Sequence, residues 1–232
     1  MSEKTVHNLL DDAKQKMNGF VMLYYFHLTN LCIEADPMAL LSATIVIDGQ
    51  EMNLEDVADV SLPNNKQFGV TPKDPEYLYP ICKAIKLEHP EFKMEEKIEE
   101  DPITKEEQTV IYYTMPVVNE DRRDVCMDYI KMRFEATNTK LEAILAQTTA
   151  KVTAKMMGAN TENINAAKEK LEEIHEWHSN MVSKIRKDKE KEVEEAYQEY
   201  LKTATEQAKQ AEEKEAAQGE DTLFSMNMND EE

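Results

Sequence analysis

Apolar side chains recur every three or four residues at Val6, Leu10, Ala13, Met17, Phe20, Tyr24, Leu28 and Leu31, so residues 5–31 read as a helix with one apolar stripe. Its length favours a place in a bundle over a helix lying on a sheet, and Pro37 stops it. The period then changes. LSATIVIDG contains the β-branched run Thr44, Ile45, Val46 and Ile47 followed by Asp48-Gly49, a strand running into a tight turn. Short turns bracket SLPNNKQFGVTPKDP, a short helix is expected across YLYPICKAIKLEHP, and another strand across TVIYYTMPV. From Asn119 the helical spacing returns at Cys126, Ile130, Phe134, Thr137, Leu141, Ile144, Thr148 and Val152, with Asn119 or Asp121 as the cap. MMGANTEN breaks it, Gly158 ending one helix and Asn160 or Thr161 capping the next. The last helix carries Ile164, Ala167, Leu171, Ile174, His178, Met181 and Ile185, crosses the charged stretch RKDKEKEVEE, and resumes at Val193, Tyr197 and Leu201.

At about 1.5 Å per residue a helix over 162–205 is about 66 Å long, too long to be buried by a compact domain, so it must pair with the other two helices. The expected fold is α+β. An elongated three-helix bundle forms from 1–31 and 117–205, a small β-containing domain is inserted at 32–116 after the first helix, and an acidic, flexible tail follows at 206–232. Proline placement supports this division. All eight prolines lie between Pro37 and Pro116, leaving the last half of the chain free for uninterrupted helix.

Charge narrows the partners. The formal net charge is -20, which repels phosphate backbones and makes free nucleic acid a poor partner. Cys32, Cys82 and Cys126 are odd in number and widely spaced, which points to buried thiols in a reducing compartment and away from a disulfide framework or a zinc site. No apolar run is long enough to span a bilayer, and the first residues lack the apolar region of a signal peptide; a cytoplasmic protein is expected. Within the tail, Leu223 and Phe224 are the only apolar pair suited to docking on a partner.

Catalytic chemistry finds little support. His175-Glu176-Trp177-His178 is one residue short of the HExxH zinc motif, which leaves His175 and His178 as weak metal candidates, with Glu172 one turn earlier. Carboxylates are too abundant to be diagnostic, and EEKIEEDPITKEE at 95–107 reads as a solvated surface. Gly69 stands alone, without the neighbours of a phosphate loop, and no spacing marks a Cys-His nucleophile. No enzyme and no cofactor is expected. Arg122 and Arg123 form the one arginine pair, and with Lys131 and Arg133 they could make a basic patch that binds RNA phosphates, or they could pair with Glu120, Asp121 and Asp124.

The order of elements, a helix, an inserted β-containing domain and two further long helices, resembles the ribosome recycling factor family. PMALLSATIVIDG is similar to that family's passage out of its first helix, DPEYLYPICKAI to its short helix, and MPVVNEDRRDVCMDYIK to the lead-in to its second long helix. The resemblance covers about residues 5–205. It implies an L-shaped molecule, a hinged second domain, and non-enzymatic work on the post-termination ribosome with RNA contacts made by arginines. Arg122 and Arg123 match retained basic positions, and Lys131 substitutes for another. Two basic clusters of the family are replaced here by LCIEADP at 31–37 and LEAILAQ at 141–147. The resemblance therefore leaves two partners open, the ribosome or a basic protein bound by an acidic module on the same scaffold. A coiled-coil adaptor unrelated to the family is a third reading, and a monomer is expected under the first two.

Overall fold

The computed structural model describes residues 3–227 apart from 102, 158 and 159, and side chains over 6–210 apart from 41 as well. Helix α1 runs Glu3–Thr29, α4 Glu120–Lys155 and α5 Thr161–Asn227. The three pack side by side. Their stripes merge into one core containing Ala13, Met17, Val21, Tyr24, Leu28, Ile130, Leu141, Leu171, Val182 and Val193. The expected helices form because the apolar spacing matches the helical repeat. Asn119 caps α4 by accepting a hydrogen bond from the Arg122 amide at 3.0 Å, and Asn160 does the same for Glu162 at 3.2 Å before α5. Gly158 lies outside the described residues.

The charged stretch of α5 stays helical by pairing along its own axis, Arg186 with Glu190 at 2.6 Å and Lys189 with Glu192 at 2.8 Å. The seam resumes at Val193 and closes by Tyr197, and Leu201 is exposed. Beyond that point α5 continues as helix to Asn227 over the stretch expected to be a flexible tail. The side chains of Leu223 and Phe224 lie outside those described.

The inserted domain has its own core. Strands β1 (Thr44–Ile47) and β2 (Gln50–Asn53) form a hairpin whose turn places Asp48 and Gly49 at φ +51° and +80°. After a single helical turn, α2 (Leu54–Val57), come β3 (Ala58–Asn64) and β4 (Gln67–Pro72). Helix α3 spans Leu78–Glu88, and the hairpin of β5 (Lys93–Glu100) and β6 (Glu107–Thr114) completes an antiparallel sheet in the order β3-β4-β6-β5. Phe68 and Val70 of β4 stand opposite Tyr113 and Ile111 of β6 on the inner face, where Ile81 and Ile85 of α3 join the same core. Two segments hold strands that the sequence reading did not assign. Residues 61–75, bracketed by turns in that reading, hold most of a strand pair, and 93–100, which runs into the 95–107 stretch expected as solvated surface, is a strand with every residue exposed.

Gly69 has a packing reason to be glycine. A Cβ there would lie 2.5 Å from Ser61 Oγ and 3.4 Å from Tyr112 Cε1. Its φ is ordinary, so space and not backbone conformation excludes a side chain.

Candidate functional site

The basic residues of α4 do not gather into one patch. Arg122 turns toward α1, its guanidinium donating to the carbonyls of Leu31 at 3.0 Å and Cys32 at 3.3 Å. Arg123 turns the other way, toward α5, pairing with Glu194 at 2.7 Å and lying over the Tyr197 ring. Asp124 accepts from it at 3.0 Å, as the ion-pairing alternative anticipated, whereas Arg122 takes carbonyls in place of carboxylates. Hydrogen bonding from Arg123, then from Gln198, holds the Glu194 carboxyl below its usual range. Arg133 lies over Tyr129 at 5.0 Å. Lys131 projects from the exposed side of α4 with no ion pair among the described residues.

The HEWH segment is a seam element. His178 is fully buried, its Nδ1 donating to the Ile174 carbonyl at 2.6 Å and its Nε2 lying 2.8 Å from the Asn18 carboxamide of α1. Burial lowers its pKa, opposed by the bond to Ile174 and assisted by Lys14 and His175. A neutral ring protonated on Nδ1 is satisfied when the carboxamide turns its NH2 to Nε2. With both nitrogens engaged, His178 has no lone pair for a metal, and no cluster of three ligand-type residues exists among the described residues. His178 is thereby taken up by the seam, whereas the Nε2 of His175 is buried without a hydrogen-bond partner among the described residues.

No motif marks the most organised polar arrangement, which lies where the chain crosses between the two cores. Cys32 adopts φ +48°. Its side chain enters the core of the inserted domain, whereas the next side chain, Ile33, enters the bundle core. The carbonyls run the opposite way, Cys32 O to Arg122 of the bundle and Ile33 O to Lys66 of the inserted domain at 3.3 Å. The Ala35 amide donates to Asn65 at 2.8 Å, and Lys66 also reaches Glu199 on α5 at 3.8 Å. His89 donates through Nε2 to the Ala39 carbonyl at 3.1 Å, and its Nδ1 lies between the Cys32 thiol at 3.8 Å and a Glu91 carboxylate oxygen at 3.5 Å. Burial pushes the Cys32 thiol up to about 12, Glu91 adding to the effect, so the pair holds a protonated thiol and not a thiolate. On the return crossing Met115 belongs to the inserted core and Val118 to the bundle core.

A sequence model described as ribosome recycling factor matches residues 29–193, which takes in this crossing, the whole inserted domain, α4 and half of α5. The chain belongs to the ribosome recycling factor family. The solution structure of a ribosome recycling factor aligns with 84% of this family member and 100% of its own chain, at a TM-score of 0.65 and 17% identity. A second alignment, to models for the T. thermophilus ribosome recycling factor and the E. coli elongation factor G bound to the E. coli post-termination complex, covers 81% and 98% at a TM-score of 0.55 and 19% identity. At such identities the likeness speaks for the fold, and it is the recycling-factor fold of an elongated helical body with an inserted β domain. Curated protein sequences give no match. Recycling factors are not enzymes, and this member is not one. No helix among the described residues is long and apolar enough to cross a membrane.

Proposed function

We propose that the protein acts on the post-termination ribosome as a recycling factor, holding ribosomal RNA with its bundle while the inserted domain moves relative to it. The observation that carries this reading is the extent of the family match, which includes both crossings between the domains along with α4. The geometry supports a division of labour among the basic residues. Lys131 and Arg133 make the RNA contacts from α4. Arg122 and Arg123 contribute by position, one holding the crossing and the other locking α4 to α5.

Cosedimentation of the purified protein with ribosomes at low and moderate salt tests the reading. Binding should weaken as salt rises, and Lys131→Glu with Arg133→Glu should weaken it further while flattening the salt dependence. Unchanged binding by that double variant removes these two residues from the interface. Absence of cosedimentation at low salt refutes the ribosomal reading.

A second reading is favoured by the surface of α4 over 141–147, where Leu141 and Ile144 are buried and no cation is present to meet phosphate. On this reading the scaffold has become an acidic module for a basic protein, with the α5 extension and Leu223-Phe224 as further contacts. Truncation after Thr205 should then weaken capture of a basic partner and leave the bundle folded, as judged by Trp177 fluorescence. The coiled-coil adaptor is less favoured, since the apolar face of α5 from Leu171 to Tyr197 packs within the chain.

A further inference from the structure

The two edges of the four-stranded sheet are treated differently. The outer strand β3 contains Pro63 and a register irregularity between Ser61 and Asn64, both devices that discourage another strand from pairing. At the opposite edge β5 has neither. It pairs with β6 through eight consecutive positions, from Lys93 opposite Thr114 to Glu100 opposite Glu107, without a bulge. All eight of its residues are exposed, and among the described residues its far side is bonded to no strand.

The side chains along that edge have a definite character. Met94 and Ile98 stand on the inner face, in line with Tyr113 and Thr109, yet are 53% and 70% exposed. Between and beyond them on that face lie Glu96 and Glu100, and Glu95 and Glu99 occupy the outer face. Over 93–107 there are seven carboxylates against three lysines. Two of those lysines are already held, Lys97 by Glu95 and Lys105 by Glu100, each at 3.4 Å. The edge therefore offers free main-chain donors and acceptors, an apolar residue at every fourth position and a surplus of negative charge.

We propose that β5 is a docking edge for an extended basic segment of a partner protein, which joins the sheet as a fifth strand. Main-chain bonds supply the pairing, aliphatic side chains of the partner extend the inner face beside Met94 and Ile98, and its lysines or arginines meet the glutamates. A second copy of this chain is a poorer occupant, because each copy brings a net charge of -20 to the contact. The inference is independent of the ribosomal reading, and either can fail without the other.

The test uses the full chain and a synthetic peptide of alternating lysine and valine about ten residues long, the length needed to span an eight-residue strand. At low salt the peptide should bind and protect β5 amides from hydrogen exchange. Glu95→Lys with Glu99→Lys, on the outer face that the peptide lysines occupy when its valines line the inner one, should reduce affinity about tenfold, the scale of two cross-strand ion pairs turned into repulsions. Replacing the peptide lysines with glutamate must abolish binding, a control that does not depend on the variant folding. Three results overturn the proposal: no binding at low salt; equal binding by a peptide of the same charge interrupted with prolines, which means charge attraction alone; or β5 protection that grows with protein concentration in the absence of peptide, which means a second copy.

Discussion

The cost of removing His178 should depend on what replaces it and on pH. In His178→Leu the seam stays filled. The Ile174 carbonyl keeps its helical partner, and Asn18, which is exposed, turns to water, so no polar group is left stranded. The loss is then two ordinary hydrogen bonds, about 1–2 kcal/mol. His178→Ala removes the same bonds and opens a cavity beside residues that are fully buried, raising the cost to about 3–4 kcal/mol. The pH dependence follows from the lowered folded-state pKa. An unfolded histidine takes up its proton near about pH 6.5, whereas the buried one resists until lower pH. The stability that His178 contributes is thus present above pH 6.5 and lost as pH falls through the folded value. His27, lowered by burial and by the charges of Arg133 and Lys140, acts in the same direction. Urea unfolding read by Trp177, the sole tryptophan and a bundle residue whose ring meets His178 edge-on at 4.7 Å, isolates the bundle transition. Between pH 7.5 and pH 5.5 the wild type should lose stability, and the deficit of His178→Leu should shrink. A leucine variant as costly as the alanine variant, or a deficit that grows on acidification, would refute the account.

Three further outcomes are expected. Gly69→Ala should destabilise the inserted domain by about 1–3 kcal/mol in urea unfolding, through the clash with Ser61 Oγ, and Gly69→Ala with Ser61→Gly should recover much of that loss. Arg122→Met should cost about 2 kcal/mol and speed hydrogen exchange around the crossing, because it removes a charged donor from two carbonyls, whereas Arg123→Met should cost less. Cys32 should resist thiol reagents at pH 8 until the inserted domain unfolds, since burial holds its thiol at about 12, and rapid labelling of the folded protein would contradict that burial.

The helices were legible because their apolar spacing is carried by long runs such as Val6 to Leu28 and Ile130 to Val152, where no other periodicity competes. The strands were legible only where β-branched residues dominate, as at Thr44–Ile47 and in TVIYYT. In SLPNNKQFGVTP, Pro63, Gly69 and Pro72 resemble turn residues. Their actual roles, an edge position, a close approach by Ser61 and a strand terminus, depend on neighbours far along the chain. KMEEKIEE reads as solvated, as it is, but its strand was not legible, since an edge strand exposed on both faces leaves no burial pattern in its composition. The arginines of α4 were found by residue type. Their directions were not, because 122 and 123 fall on opposite flanks of the buried stripe and only the placement of α1 and α5 determines what each flank meets.

The alternation at Cys32 and Ile33 has a mechanical consequence. At each of these residues the side chain belongs to one body and the carbonyl to the other, so the chain is stitched through the boundary and not laid across it. A simple pivot could turn by small degrees with all its contacts intact. Here a turn in either sense pulls a side chain from its core or a carbonyl from its donor, so packing and hydrogen bonding oppose rotation of the two bodies together.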